Sequence, residues 1–177
     1  MPVFNAFVRP ILEYASSVWS PVLVKYNRTI ESVQRRFTKR LCGLSNVSYE
    51  HRIRVLGTCT LNARRNYTDL VELFKIVRGL STCGISPYFA CAVRKTRGHQ
   101  YRLKLMNFKL NARKSSFFCR VIGNWNSLPR QIVEVRTLSQ FKSNLRRHMC
   151  IWLFSWKEPS PFTDEKVLAT YICNKAQ

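Results

Sequence analysis

The sequence predicts a small, mainly α-helical domain with one short β-hairpin around residues 100–111. Three observations predict it. Apolar residues recur at helical spacing in several stretches, a period of two is confined to one patch, and glycine or proline punctuates the ends of the stretches. A chain of 177 residues fits one domain, or one domain with a tail, and a hydrophobic fraction of 46% is ordinary for a globular protein.

Residues 3–19 are apolar and read as helix, with Pro10 forcing a kink or break and Trp19-Ser20-Pro21 a turn. Residues 29–42 form a helix on Ile30, Val33, Phe37 and Leu41, with Gly43 as its stop. Ser48 caps a short helix to Leu56, ended by Gly57. Residues 61–78 make a longer helix. Leu70, Phe74 and Val77 form its buried stripe, Val71 widens it, and Gly79 ends it. Residues 80–100 read as a loop, with Gly84, Pro87 and Gly98. In the hairpin, Tyr101, Leu103 and Leu105 alternate with Arg102 and Lys104, and Phe108 and Leu110 flank Lys109. Ser115 caps a helix through Phe117, Phe118, Val121, Ile122 and Trp125, stopped at Leu128-Pro129. A last helix, 138–149, presents Leu138, Phe141, Leu145 and Met149 on one face. Pro159 and Pro161 then mark a linker-like break.

The charge is the most informative property. The chain carries 30 Lys and Arg against 9 Asp and Glu, a net charge of +21. Residues 151–177 balance, with Lys157, Lys166 and Lys175 against Glu158, Asp164 and Glu165. The whole excess therefore lies in residues 1–150, and 151–177 reads as a separate, flexible tail. Such a balance implies polyanionic partners, meaning RNA, DNA or, as the weaker reading, an anionic membrane surface, and says little about fold. No stretch approaches the ~20 apolar residues of a membrane helix. Nor is there a secretory leader or a long basic amphipathic helix with one aromatic face. The expectation is an intracellular protein, nuclear or cytoplasmic, with no membrane partner. The seven cysteines are odd in number, so reduced thiols are expected, with Cys59 and Cys119 as buried apolar groups.

Several blocks, in order, carry a resemblance. Phe7-Val8-Arg9-Pro10-Ile11-Leu12-Glu13-Tyr14-Ala15 precedes Val18-Trp19-Ser20-Pro21. Ile30-Glu31-Ser32-Val33-Gln34-Arg35-Arg36-Phe37-Thr38-Lys39 follows, then Tyr49-Glu50-His51-Arg52-Ile53, Leu56-Gly57 and Leu61-Asn62-Ala63-Arg64-Arg65. Asp69-Leu70, Phe74-Lys75-Ile76, Gly79-Leu80 and Thr96-Arg97-Gly98-His99 continue the series. Phe117-Phe118, Arg120-Val121, Trp125-Asn126-Ser127-Leu128-Pro129 and Leu138-Ser139-Gln140-Phe141-Lys142 close it. This ordered set, over residues 4–149, resembles the post-palm, thumb-like region of reverse transcriptases from non-LTR retrotransposons of the LINE-like, jockey and chicken-repeat type. The resemblance implies an RNA-directed DNA polymerase as the parent activity and the remainder of that polymerase as a possible partner. The family's endonuclease and palm have no counterpart here, so the chain is expected to start after the palm's active site. Residues 151–177 match nothing in the pattern.

Polymerisation needs two divalent metals clamped by carboxylates, which the family holds on an Asp-Asp pair. The only aspartates are Asp69 and Asp164. Asp69 reads as a solvated or salt-bridged surface residue, and Glu13, Glu50 and Glu72 likewise. There is no Cys-x-x-Cys, and Cys83 and Cys91 have seven residues between them, so no zinc site is expected. His51, His99 and His148 lie in no nucleophile motif; His99 reads as a loop residue able to touch a phosphate. The reading is therefore no catalytic residue, metal, cofactor or small-molecule substrate, and no enzyme on its own.

What remains is charge with aromatics, which suits phosphate contact and base stacking. The expected nucleic-acid contacts are Arg35, Arg36, Lys39 and Arg40 on one helix and Arg64 and Arg65 opening the next long one. Arg94, Lys95, Arg97, Arg102 and Lys104 cluster around the loop and hairpin, and Arg146 and Arg147 end the last helix. Tyr88, Phe89 and Tyr101 are the stacking candidates, and Trp19 and Trp125 read as core anchors. The alternatives are an inert relic of a truncated element, or a domesticated nucleic-acid- or protein-binding module.

Overall fold

The computed structural model describes residues 1–21, 23–81, 99–104 and 116–154, and these are mainly helical. A π-helical turn, Phe4–Val8, leads into α1 (Arg9–Glu13) and α2 (Ser16–Trp19). α3 (Val24–Lys39), α4 (Tyr49–Val55) and α5 (Leu61–Val77) follow. α6 (Phe117–Asn126), α7 (Arg130–Val133) and α8 (Leu138–Phe154) complete the described chain. No strand forms among the described residues; positions 105–111 of the expected hairpin, and 82–98 of the expected loop, lie outside them. No described helix is long and apolar enough to cross a membrane.

Local signals set most boundaries. Ser48 Oγ accepts the His51 amide at 3.3 Å to start α4, and Gly57, at φ +57°, ends it. Thr60 caps α5 through the Ala63 amide at 3.2 Å, and Gly79, at φ +66°, closes it. Both glycines adopt the left-handed conformation that a side chain would strain. α6 begins after Ser116, with no side-chain cap. α7 is a short turn after Pro129 that the sequence reading did not anticipate. α8 runs to Phe154, past the expected end at Met149.

The break in the N-terminal segment is not at Pro10. Pro10 is the second residue of α1, and the helix runs on through it from the π turn, with Val8 and Arg9 both in helical conformation. The preceding π turn, closed by the Arg9 amide on the Phe4 carbonyl, widens the ladder ahead of the ring. The chain breaks instead at Tyr14–Ala15, where Ala15 sits at φ 48°. Trp19 is not a core anchor: α2 is a single turn, and the indole stays exposed while donating to the Tyr14 carbonyl. Val3, Phe7, Ile11, Tyr14 and Val18 are also exposed, each above 60%, a larger apolar row than monomeric surfaces usually carry.

α5 joins two unlike halves. Its C-terminal half packs on α6 and α8 around Leu73, Phe74, Val121, Trp125, Phe141 and Leu145, all essentially without exposed surface. Phe74 and Phe141 stack at 4.2 Å. Trp125 is the expected anchor; its indole donates to the Tyr101 carbonyl at 2.8 Å. Arg78 clamps this half from outside, donating to Tyr101 Oη at 2.7 Å and to the Val135 carbonyl at 2.6 Å.

The other half combines apolar contacts, such as Phe4 on the Phe37 ring at 4.9 Å, with buried polar groups. α3 was expected to bury Ile30, Val33, Phe37 and Leu41, but its buried positions are Glu31, Gln34 and Thr38, and Val33 is exposed. Gln34 donates to the Cys59 carbonyl at 3.0 Å, and Arg52 donates to Thr38 Oγ1 at 3.2 Å. Glu31 accepts from Tyr49 Oη and from the Leu61 amide at 3.1 Å, which binds α3, α4 and the start of α5 together. Burial and the adjoining Glu31 carboxylate push the Tyr49 phenol well above its usual range.

Candidate nucleic-acid interface

Turning the polar face of α3 inward decides where its cations go. Lys25, Arg28, Arg35, Arg36, Lys39 and the capping Arg40 are all exposed. At about 100° per residue they share an arc of roughly 140°, away from Glu31, Gln34 and Thr38. Glu31 is the one acid of α3, and it is buried and satisfied. None of the six makes an ion pair among the described residues. Arg36 and Lys39 also lie in the last turn, where the helix dipole favours cations. The four expected α3 contacts are therefore brought together, and Lys25 and Arg28, which the sequence reading did not single out, extend them toward the helix start.

Between α3, α4 and the first turn of α5 lies an open groove of about 840 Å³. Arg28 and Arg35 line it from α3, and Arg54 from α4. The Arg35 guanidinium sits 4.5 Å above the Tyr49 ring, a cation–π contact that fixes the side chain at the groove wall.

Other expected contacts fall elsewhere. Arg65 has no exposed surface and cannot reach a phosphate. Its Nη2 donates to Asn27 Oδ1 at 2.7 Å, while Nε and Nη1 have no partner. Burial lowers its pKa, against the pull of Glu31, Glu13 and Asp69. The sign was in the sequence: Leu61, Arg65, Asp69 and Leu73 recur every four residues on one row of α5, and all four are buried. Arg64 is half-buried and forked on Glu13, whose hydrogen bond raises the guanidinium's pKa. Arg102 is half-buried and Lys104 exposed. Arg146 and Arg147 are exposed on α8, with Arg146 5.7 Å from the Tyr67 ring centre. Arg94, Lys95, Arg97, Tyr88 and Phe89 lie outside the described residues. Tyr101 is half-buried, with Arg78 4.3 Å over its ring, so that ring face is already covered.

Three further expectations are corrected. Asp69 is salt-bridged but not at the surface: it is buried, and Arg120 forks onto it at 3.0 and 3.2 Å. His99 is buried against Trp125, with Nε2 3.1 Å from that residue's carbonyl, so it is no phosphate contact. Burial lowers its pKa, partly offset by the Trp125 hydrogen bond. Cys59 and Cys119 are half-buried rather than buried. Glu72 pairs with Lys75 at 2.9 Å as a surface pair, and Glu50 is exposed. No family model matches this sequence, and comparison with curated proteins and with solved structures likewise finds no match.

Proposed function

We propose that this chain is a nucleic-acid-binding segment of a non-LTR retrotransposon reverse transcriptase, the part that follows the palm, and that it grips RNA or DNA without catalysing polymerisation. The observation that carries the binding is the α3 face. Six exposed cations share one side of a helix whose single acid is turned inward. A solvated surface face of a folded protein usually mixes both signs; one sign alone, free of ion pairs, is the footprint of a polyanion site. The retroelement assignment rests on the ordered residue blocks of the sequence, from Phe7 to Lys142.

The test is binding of the 177-residue chain to a structured RNA and to duplex DNA across ~50–300 mM salt. About six phosphate contacts give a slope of log K against log[salt] near −5. Changing Arg35, Arg36, Lys39 and Arg40 to Ala should make it shallower by up to about 3–4 units. A flat salt response, or a slope unmoved by the four substitutions, rules the reading out.

A further inference from the structure

The groove beside α3 has features that a site for phosphates alone does not need. Its basic edge is Arg28, Arg35 and Arg54, none in an ion pair among the described residues. Its apolar surface is chiefly Val24, left exposed at the start of α3, with a small contribution from Ile53 of α4, which is 7% exposed. A volume of about 840 Å³ falls in the range of small-ligand sites, ~300–1,000 Å³. That is about the size of a one- or two-nucleotide ligand.

We infer that this groove takes an unpaired nucleotide of a single-stranded nucleic acid, with its phosphate on Arg28, Arg35 and Arg54 and its base against Val24 and Ile53. The inference rests on the nucleic-acid-binding reading and adds the strandedness of the ligand. Two carboxylates line the groove, and neither defeats an anion there. Glu31 is occupied by Tyr49 Oη and the Leu61 amide. Glu50 is exposed at α4's first turn, one charge against three guanidinia. Arg35 is held in place by the Tyr49 ring before any ligand arrives, so less side-chain entropy is lost on binding. An unpaired base has both of its faces free for such a wall; a stacked, paired base does not.

The experiment uses three probes of equal charge on the 177-residue chain, read by fluorescence anisotropy. They are a single-stranded oligonucleotide, the same strand with abasic sugars at every position, and a poly-glutamate peptide. The base-bearing strand should bind several-fold more tightly than the abasic one, about what covering one base face with an aliphatic side chain contributes. Val24→Ser, a change at an exposed position, should bring that ratio toward one, with the helical circular dichroism unchanged. Changing Arg36 and Lys39 to Ala, away from the groove, should weaken both strands equally and keep the ratio. Equal binding of the base-bearing and abasic strands, with steep salt dependence, overturns the groove assignment and leaves the phosphate face standing. So does poly-glutamate matching the base-bearing strand. Absence of salt-dependent binding to any strand overturns the nucleic-acid reading itself.

Discussion

Removing the Asp69 carboxylate should cost more than any surface substitution in this chain. Asp69 accepts Arg120 Nε at 3.0 Å and Nη2 at 3.2 Å, and that Nη2 also donates to the Ser17 carbonyl at 2.7 Å and the Ser16 carbonyl at 3.2 Å. One guanidinium thus ties α2, α5 and α6. The Asp69 side chain is 4% exposed and that of Arg120 14%, so water compensates little when the partner is lost. Breaking a buried pair from one side costs about 3–5 kcal/mol. The upper part of that range applies here, because Asp69 also offsets the charge of buried Arg65. With a urea m-value of about 2 kcal/mol/M, a loss of ~4 kcal/mol moves the midpoint down by ~2 M. Asp69→Ala and Arg120→Ala should each show it. The apolar pair Asp69→Leu with Arg120→Met should recover most of it, since replacing both partners removes the uncompensated charge. Single substitutions shifting the midpoint by less than ~0.5 M, or a double variant as unstable as the sum of the singles, would refute the reasoning.

Arg65→Met removes two buried guanidinium nitrogens that have no partner, which offsets the lost bond to Asn27 and the lost attraction of Asp69, so it should cost less than the ~3–5 kcal/mol of breaking a buried pair from one side; polyanion affinity should not change. A thermal melt showing a loss as large as that of Asp69→Ala counts against the partnerless guanidinium. His99 is held below its ordinary pKa by burial, so the unfolded chain takes up its proton first. Its contribution is fully present above pH ~6.5 and is lost as pH falls through the folded-state value. Urea melts between pH 7.5 and 5 should show that loss in the native chain and less of it in His99→Phe; equal slopes would exclude His99 as the source. Ser48→Ala and Thr60→Ala should each lower stability by about 1 kcal/mol as helix caps are lost, checked by the melting temperature.

The ends of α4 and α5 were legible because a serine and two glycines act locally, within a few residues of the backbone they shape. The buried row of the C-terminal half was legible because Leu70, Phe74, Phe141 and Leu145 bury apolar area, and spacing reports apolar area directly. The inner face of α3 escaped that reading. Glu31, Gln34 and Thr38 are polar, and what satisfies them lies at Tyr49, Arg52, Cys59 and Leu61, up to 30 residues on. Asp69 misled for the same reason, its partner being 51 residues away. For the site, the cluster at Arg35, Arg36, Lys39 and Arg40 was plain from the sequence. That Arg65 is enclosed while Arg28 and Arg54 flank a groove depends on how α3, α4 and α5 cross.

The pairing of α5 with its two flanking helices has a consequence for stoichiometry. Phe141 meets Phe74 and Arg146 meets Tyr67, so α8 runs antiparallel to α5 and carries Arg146 and Arg147 back along it. Arg65, which bonds Asn27 of α3, is two residues from Tyr67, about 3 Å along the axis and some 200° around it. α3 and α8 therefore flank α5 at one level on opposite sides, their axes about 16–20 Å apart at normal packing distances. A stiff polyanion lying along one flank leaves the other open. If the proposed binding holds, the chain should cross-link as well as clamp: at low protein-to-nucleic-acid ratios it should draw two strands together, visible as a rise in light scattering that Arg146→Ala with Arg147→Ala suppresses while single-strand binding persists.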